Sequence, residues 1–530
     1  SGCGSFIETF ARSMGYEIEE FAKKGFFSPA PVNLGSRCTV FMNSSVKQSQ
    51  RDGATVEDIS AGLSVSVVKN AIYKVIRAGS PDELGKHIVV QGGTFYNDAV
   101  LRAFEVELGI NVIRPSIAGL MGAYGAALSA TKLEHSTLIT PEELSIFEHS
   151  SKSTICKGCT NNCHLTVNTF AGNKKFISGN QCQKGLGISD ADTNIPNLHE
   201  FKRKYLTSLP STYEKNSRGT IGIPLALGTY ELLPLWHGMF SSLGFNVKIS
   251  KMSTKRTYEK GQFSIPSDTA CYPAKLMHGH IEELVSDGVD AVFYPCLTYN
   301  VDEKDSDNHY NCPVVAYYSE LLNGNMESLS DTKFLFPYLN INSRRELSKG
   351  LFSYLAPYFG GIAIREIKRA IKKGFTAYDT FMSAVKREGE RAVQWARENG
   401  KRIMVLAGRP YHIDSEIGHG IDKLANSLGF AVVSEDSICH LADHQNVNVL
   451  NQWTYHSRLY KAARFAAQNP DVELVQLVSF GCGVDAITTD EVRSILENSN
   501  KFYTQIKIDE ITNLGAVKIR LRSLIGALEQ

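Results

Sequence analysis

A mixed α/β chain of several folded units is what this sequence predicts: a first α/β lobe, a small cysteine-rich segment, and two doubly wound parallel α/β lobes with a helical connector. Three observations carry that expectation. At 530 residues the chain is too long for one hydrophobic core, so roughly three or four folded units are expected. Short β-prone apolar runs alternate with longer stretches of helical period, the pattern of parallel sheets crossed by helices. Eleven cysteines, clustered rather than scattered, read as metal ligands, because disulfide frameworks belong to short secreted chains.

Composition narrows the function class. Hydrophobic residues make up 43% and charged residues 21%, which argues against disorder. A formal net charge of +1 argues against a nucleic-acid or membrane-surface partner selected by bulk charge. No run of about 18 apolar residues signals a membrane span. The first residues lack the basic-then-apolar pattern of a secretory leader, and the chain reads as cytoplasmic.

The elements follow in order. Residues 1–135 form the first lobe. Gly2–Gly4 opens straight into a helix from Phe6 to Met14, with no room for a strand before it, and reads as a chain cut inside a domain. Helices are expected over Val56–Ala78 and Asn97–Gly109, the second stopped by its glycine. A buried strand is expected over 86–93, ending in the Gly92-Gly93 turn, and a short one at Ile110–Ile113. Ile117–Ala130 reads as a helix of small residues built for close packing. Residues 136–215 form a connector holding the cysteine-rich segment. The second lobe, 216–345, has strands expected at Thr220–Leu227, Val247–Lys251, Ala291–Tyr294, Val314–Tyr318 and Phe334–Leu339. After a helical connector, 346–400, the third lobe, 401–530, has strands expected at Ile403–Ala407, Ala431–Val433, Leu474–Val478 and Tyr503–Ile508. No sequence repeat links the last two lobes.

Two cysteine groups carry chemistry. Cys156 and Cys159, with Cys163 and Cys182, offer four thiolates in a glycine- and asparagine-rich stretch, enough for one tetrahedral site. Zn²⁺ and a [4Fe–4S] cluster both fit that donor set, and the site is expected to be chiefly structural because large apolar residues are scarce there. His164 is an alternative ligand. The second group is spread over the last two lobes. Cys271 opens a helix that carries Lys275, His278 and His280, Cys296 ends one strand, and Cys482 follows another. Strand C-termini and helix starts are where doubly wound sheets build sites. The three are expected to converge on one cleft between the lobes, although core packing is the commoner fate of any single cysteine. Cys312 and Cys439 read as core or loop thiols. His278, His280, His412 and His419 read as cap or surface residues as readily as members of the site.

Four ordered motifs in residues 1 to about 132 resemble the 2-hydroxyacyl-CoA dehydratase activators, ATPases of the sugar-kinase/actin superfamily. They are Gly2–Gly4, the Ser36–Phe41 run around Cys38, the Gly92-Gly93 turn, and the Gly119–Ala127 helix. The resemblance implies a partial actin/sugar-kinase-like lobe with Gly92 and Gly93 against the adenosine of ATP. It implies that Cys38 is one of two cysteines per subunit holding a [4Fe–4S] cluster across a homodimer interface. It further implies ferredoxin or flavodoxin as electron donor and a dehydratase-like acceptor. The family's phosphate-binding half and second cluster cysteine would lie upstream of Ser1, so the chain by itself is expected to be inactive toward ATP.

Residues 220–525 resemble the accessory region of long bacterial activator-like proteins and, more distantly, the dehydratase subunits, in which three cysteines from two lobes hold a [4Fe–4S] cluster. That resemblance assigns the three positions to Cys271, Cys296 and Cys482. The implied function is ATP-dependent, low-potential electron transfer to a dehydratase-like partner or fused module. The alternatives are direct dehydration or reduction of an acyl-CoA by the last two lobes, and a zinc-stapled scaffold without redox chemistry.

Overall fold

Asn97 and Gly109 show how locally the first unit is specified. The Asn97 side chain accepts from the Val100 N–H and starts the helix Asp98–Leu108, and Gly109 ends it in the left-handed conformation at φ 70°. The helices Cys3–Ser13, Ile18–Phe26, Thr39–Arg51 and Val56–Lys69 precede it. Ile7, Phe21, Ile59, Leu63, Val100 and Phe104 form their common core. The computed structural model describes residues 3–35, 39–76, 81–131, 138–157, 163–180, 194–211, 217–267, 269–443, 447–479, 482–510 and 514–529. The chain divides into two units, Ser1–Ile146 and Phe147–Gln530.

Two expected strands of the first unit are absent. Residues 86–93 and Ile110–Ile113 meet in a single parallel bridge, Val89 to Ile113, with Val90 N–H donating to Ile113 O at 2.9 Å. No third strand lies beside them among the described residues, and Val89 stays more than half exposed, so the ladder does not propagate. The small-residue helix forms over Met121–Ala130, but none of its side chains is buried.

The second unit opens with a three-stranded antiparallel sheet that the sequence did not signal: β1 His149–Ile155, β2 His164–Phe170 and β3 Lys174–Ser178. All seven residues of β1 are exposed, so it has no apolar alternation to read. Two parallel sheets follow. One contains β4 Thr220–Ile223, β5 Asn246–Ile249, β6 Ala291–Phe293 and β7 Lys333–Leu335, in the order β5-β4-β6-β7. The other contains β8 Ile403–Ala407, β9 Ala431–Val433, β10 Val472–Ser479 and β11 Thr504–Ile508, in the order β11-β10-β8-β9. Numbered within each lobe, both run second, first, third, fourth strand. The mixed α/β fold with parallel sheets is therefore the one the sequence predicts.

Val314–Tyr318 is the main correction in the second lobe. It is no strand but the first turn and a half of the helix Pro313–Asn325. Five apolar residues fit either state by periodicity; Pro313 at the first helical position, with its φ already helical, decides it. The helical connector becomes the helix Arg344–Leu355 and the 35-residue helix Ile364–Glu398. Two glycines let this long helix lie against both lobes: a Cβ on Gly374 would meet Leu235 O at 2.5 Å, and one on Gly389 would meet Ser437 O at 2.4 Å. Among the described residues no helix is long and apolar enough to cross a membrane.

Candidate functional site

Three cysteines stand at three helix starts on the C-terminal side of the two parallel sheets. Cys271 is the N-cap of the helix Tyr272–Ser286, which leads into β6. Cys312 is the N-cap of the helix Pro313–Asn325, which follows β6. Cys482 is the N-cap of the helix Gly483–Glu497, which follows β10. A helix antiparallel to its strand begins at the strands' C-terminal edge, so all three caps reach the edge where such folds bind ligands. Each cap leaves unsatisfied backbone N–H groups and the positive end of a helix dipole beside its thiol.

Arg409, two residues beyond β8, ties the third thiol into the interior. It is 5% exposed, donates to Cys482 Sγ at 3.3 Å, and is ion-paired with Asp485. Asp485 is itself fixed by the Ser479 N–H at 3.0 Å. The Arg409 N–H donates to His412 Nδ1 at 3.1 Å. Burial pushes the Cys271 thiol up to about 11, and Cys312, Arg409 and Cys482 are its ionisable neighbours. Burial also raises Cys312, whose neighbours again include Arg409 and Cys482. Two buried polar groups nearby have no hydrogen-bond partner among the described residues: the Tyr294 hydroxyl, one residue past β6, and both ring nitrogens of His456. Tyr294 has Cys312, Cys296 and Cys271 as ionisable neighbours, and His456 Nε2 lies 3.9 Å from Asp485 Oδ1. Burial, then Arg409, pushes the His456 pKa well below its usual value, so its ring is neutral.

Cys296 is placed differently. Its Sγ lies 3.4 Å from Ser319 Oγ, its backbone pairs with the 337–339 segment, and it is 1% exposed. Burial raises its pKa, and the other groups it feels are Ser319, Glu320 and Tyr338. Cys271 thus has Cys482 and Cys312, a thiol the sequence reading set aside, among its ionisable neighbours, while Tyr294 has Cys296 beside Cys271 and Cys312. That Cys312 caps a helix is signalled by the dipeptide Cys312-Pro313, a cap followed by a first-turn proline, which Cys271-Tyr272-Pro273 nearly repeats. Cys439 is buried, and burial lifts its thiol to about 12.

The histidines left open are interior groups. The two nitrogens of His278 pair with Ser264 Oγ at 2.7 Å and Tyr318 Oη at 3.0 Å. Those of His280 pair with Ser250 Oγ at 2.8 Å and Ser253 Oγ at 2.9 Å. Burial holds both rings near a pKa of about 4, hence neutral. His419 donates to Asp509 O at 2.7 Å.

In the first unit, Gly93 and Gly4 line a cavity of about 460 Å³ with Glu8, Glu19, Tyr96 and Asp98. Gly92 has φ 105° and donates its N–H to Ala118 O at 2.8 Å. Gly119 closes against the Tyr96 ring, whose hydroxyl accepts from the Gly119 N–H at 3.0 Å. The two glycine motifs of the sequence thus meet at one cavity wall. Cys38 lies outside the described residues. So do Cys159 and Cys182, while Cys156 and Cys163 sit side by side where β1 and β2 end, with Cys156 N–H donating to Cys163 O at 2.8 Å. Among the described residues no group of three His, Cys, Asp or Glu is gathered tightly enough for one metal ion.

Residues 1–130 match the BadF/BadG/BcrA/BcrD ATPase family, and residues 220–438 match the CoA enzyme activase uncharacterised domain. Over 130 residues the chain is 34% identical to the 2-hydroxyisocaproyl-CoA dehydratase activator of Clostridioides difficile, covering 24% of this chain and 47% of that protein. Over 132 residues it is 33% identical to the (R)-2-hydroxyglutaryl-CoA dehydratase activating ATPase of Acidaminococcus fermentans, covering 25% of this chain and 49% of that one. Among solved structures, the Clostridium difficile activator with bound ADPNP aligns at 30% identity and a TM-score of 0.22, covering 26% of this chain and 52% of that one. The chain spans about half the length of the curated relatives it matches.

Proposed function

We propose that this chain, which joins a segment of the BadF/BadG/BcrA/BcrD ATPase family to a CoA enzyme activase domain, is an iron–sulfur protein. It delivers low-potential electrons, with ATP hydrolysis in the full-length protein as the drive. The acceptor is a 2-hydroxyacyl-CoA dehydratase-like partner or the chain's own last two lobes. The observation that carries this reading is the gathering of Cys271, Cys312 and Cys482, each from a helix N-cap, around Arg409.

The donor set fits a [4Fe–4S] cluster. Three thiolates bring negative charge; three helix N-termini offset it, and the Arg409 guanidinium donates to one of the sulfurs; Tyr294 and His456 are buried hydrogen-bonding groups without partners among the described residues. Bound there, such a cluster would accept and release one electron at a time. The chain's own residues do the rest. Arg409 fixes the Cys482 sulfur, and Asp485 and His412 fix Arg409. Burial holds the Cys271 and Cys312 thiols protonated in the metal-free protein, so metal uptake releases protons.

In the first unit, Gly92 and Gly93 bring backbone against the adenosine of ATP, and the carboxylates of the same cavity suit ribose hydroxyls. Cys38 serves a second cluster shared between two copies, fed by ferredoxin or flavodoxin. Cys156, Cys159, Cys163 and Cys182 hold a structural zinc or [4Fe–4S] group.

The test is anaerobic purification with iron, sulfide and zinc counting on the wild type and two variants. Cys312→Ser should lose about four irons and their sulfide, one cluster's worth, while Cys296→Ser keeps them. Iron unchanged in Cys312→Ser, or zinc without sulfide in the wild type, sinks the reading.

A further inference from the structure

We propose that the groove between the helix Arg344–Leu355 and the long helix Ile364–Glu398 is a binding site for a phosphorylated nucleoside. The cavity there has a volume of about 590 Å³, within the usual range for small-molecule sites. Arg344 and Arg345 enter it from the first turn of one helix. Lys368 and Lys372 enter it from one face of the other, four residues apart. Asp379 is the one carboxylate in the lining, so three positive charges stand unmatched. None of the four cations forms an ion pair or a side-chain hydrogen bond among the described residues. On the same helix Arg391 pairs with Glu388 and Arg397 with Asp471.

The groove also has an apolar part and a direction. Ile371 and Phe375, both buried, form its floor. The Arg344 guanidinium lies over the Phe375 ring and is partly desolvated. One planar face of Arg344 is thereby held, and the other is offered to a flat ring. Asp379 is 11 residues beyond Lys368 on the same helix, about 16 Å away along its axis. A ligand matching this order has phosphates at one end, an aromatic base over Arg344, and hydroxyl or amino groups toward Asp379. Inorganic phosphate would leave the floor and Asp379 unused. ADP and the nucleotide end of coenzyme A share the required chemistry.

Photolabelling of the full chain with 8-azido-ADP, followed by peptide mapping, tests the assignment. Label is expected on peptides from residues 344–379, displaced by ADP or by coenzyme A, and the stronger competitor identifies the source. Affinity at this groove should fall about tenfold in a Lys368→Ala/Lys372→Ala variant, the size of one lost charge-assisted contact. Both lysines are exposed, so the variant's melting temperature should not move. Mapping separates this groove from the glycine-lined cavity of the first unit, whose label would fall within residues 1–130. Absence of label from 344–379, label undiminished in the double variant, or displacement by pyrophosphate as effective as by ADP would each overturn the proposal.

Discussion

The two parallel lobes share one strand order and contribute unequally to the site. In the second lobe, the helix into the third strand starts at Cys271 and the helix after that strand starts at Cys312. At the matching places in the third lobe stand Trp453, with His456 in the next turn, and Cys482. One lobe gives two thiols. The other gives one thiol, the Arg409 cation and a neutral, unpartnered imidazole. The common topology fixes where side chains converge, and the identities at three helix caps decide what chemistry that edge can do.

The comparison assumes that the lobes are held in register, and one buried ion group contributes to that. Arg458, 1% exposed on the helix Thr454–Gln468, donates to Glu231 at 3.1 Å and to Glu303 at 2.7 Å, both in the other lobe. Arg458→Met would leave Glu231 buried without its cation. The expected loss is about 3–5 kcal/mol of unfolding free energy, with most of it regained in Arg458→Met/Glu231→Gln. Urea titrations measure both. A neutral single variant, or a double variant as unstable as the single one, would show that this group does not set the register.

Much of this architecture was legible in the sequence, and the failures share a cause. Ile403–Ala407 and Ala431–Val433 are strands over the residues expected, because a strand buried on both faces is a bare apolar run between turn residues. Val314–Tyr318 is an equally apolar run, yet one proline turns it into a helix. β1 carries no apolar signal at all. Cys296 and Cys312 lie on the two sides of one loop, and the sequence reading saw the strand end before Cys296 but not the helix cap at Cys312.

The histidines sharpen the contrast between lobes. In the second lobe, His278 and His280 each have both nitrogens engaged by hydroxyls; in the third, His456 has neither engaged among the described residues. Burial lowers His278 and His280 from 6.5 to about 4 in the folded state. A lowered folded pKa means that the unfolded chain binds protons first as pH falls. Stability from each ring is therefore full above pH 6.5 and lost between pH 6.5 and 4, by about 3 kcal/mol per ring. His280→Asn should flatten the decline of unfolding free energy across that window by about one proton's slope. An unchanged slope would mean that His280 is not the titrating group.

The smallest expected effect separates the metal from the fold at Cys312. Its sulfur already caps its helix, accepting from the Val315 N–H at 3.4 Å. Sulfur is a weak acceptor, whereas serine is among the preferred caps. In metal-free protein, Cys312→Ser should therefore keep or raise the unfolding free energy, by up to about 1 kcal/mol. Cys296→Ser exchanges a buried sulfur beside Ser319 for a more polar hydroxyl in a nearly waterless place, and should lower it. The two substitutions are chemically identical and lie on one loop, yet their order in apo stability is expected to be the reverse of their order in iron content. Calorimetry of chelated samples measures the first order and metal analysis the second. If Cys312→Ser is instead the less stable of the two without metal, its loss of iron would report a damaged helix start, and Cys312 would no longer stand out from Cys296 as the third ligand.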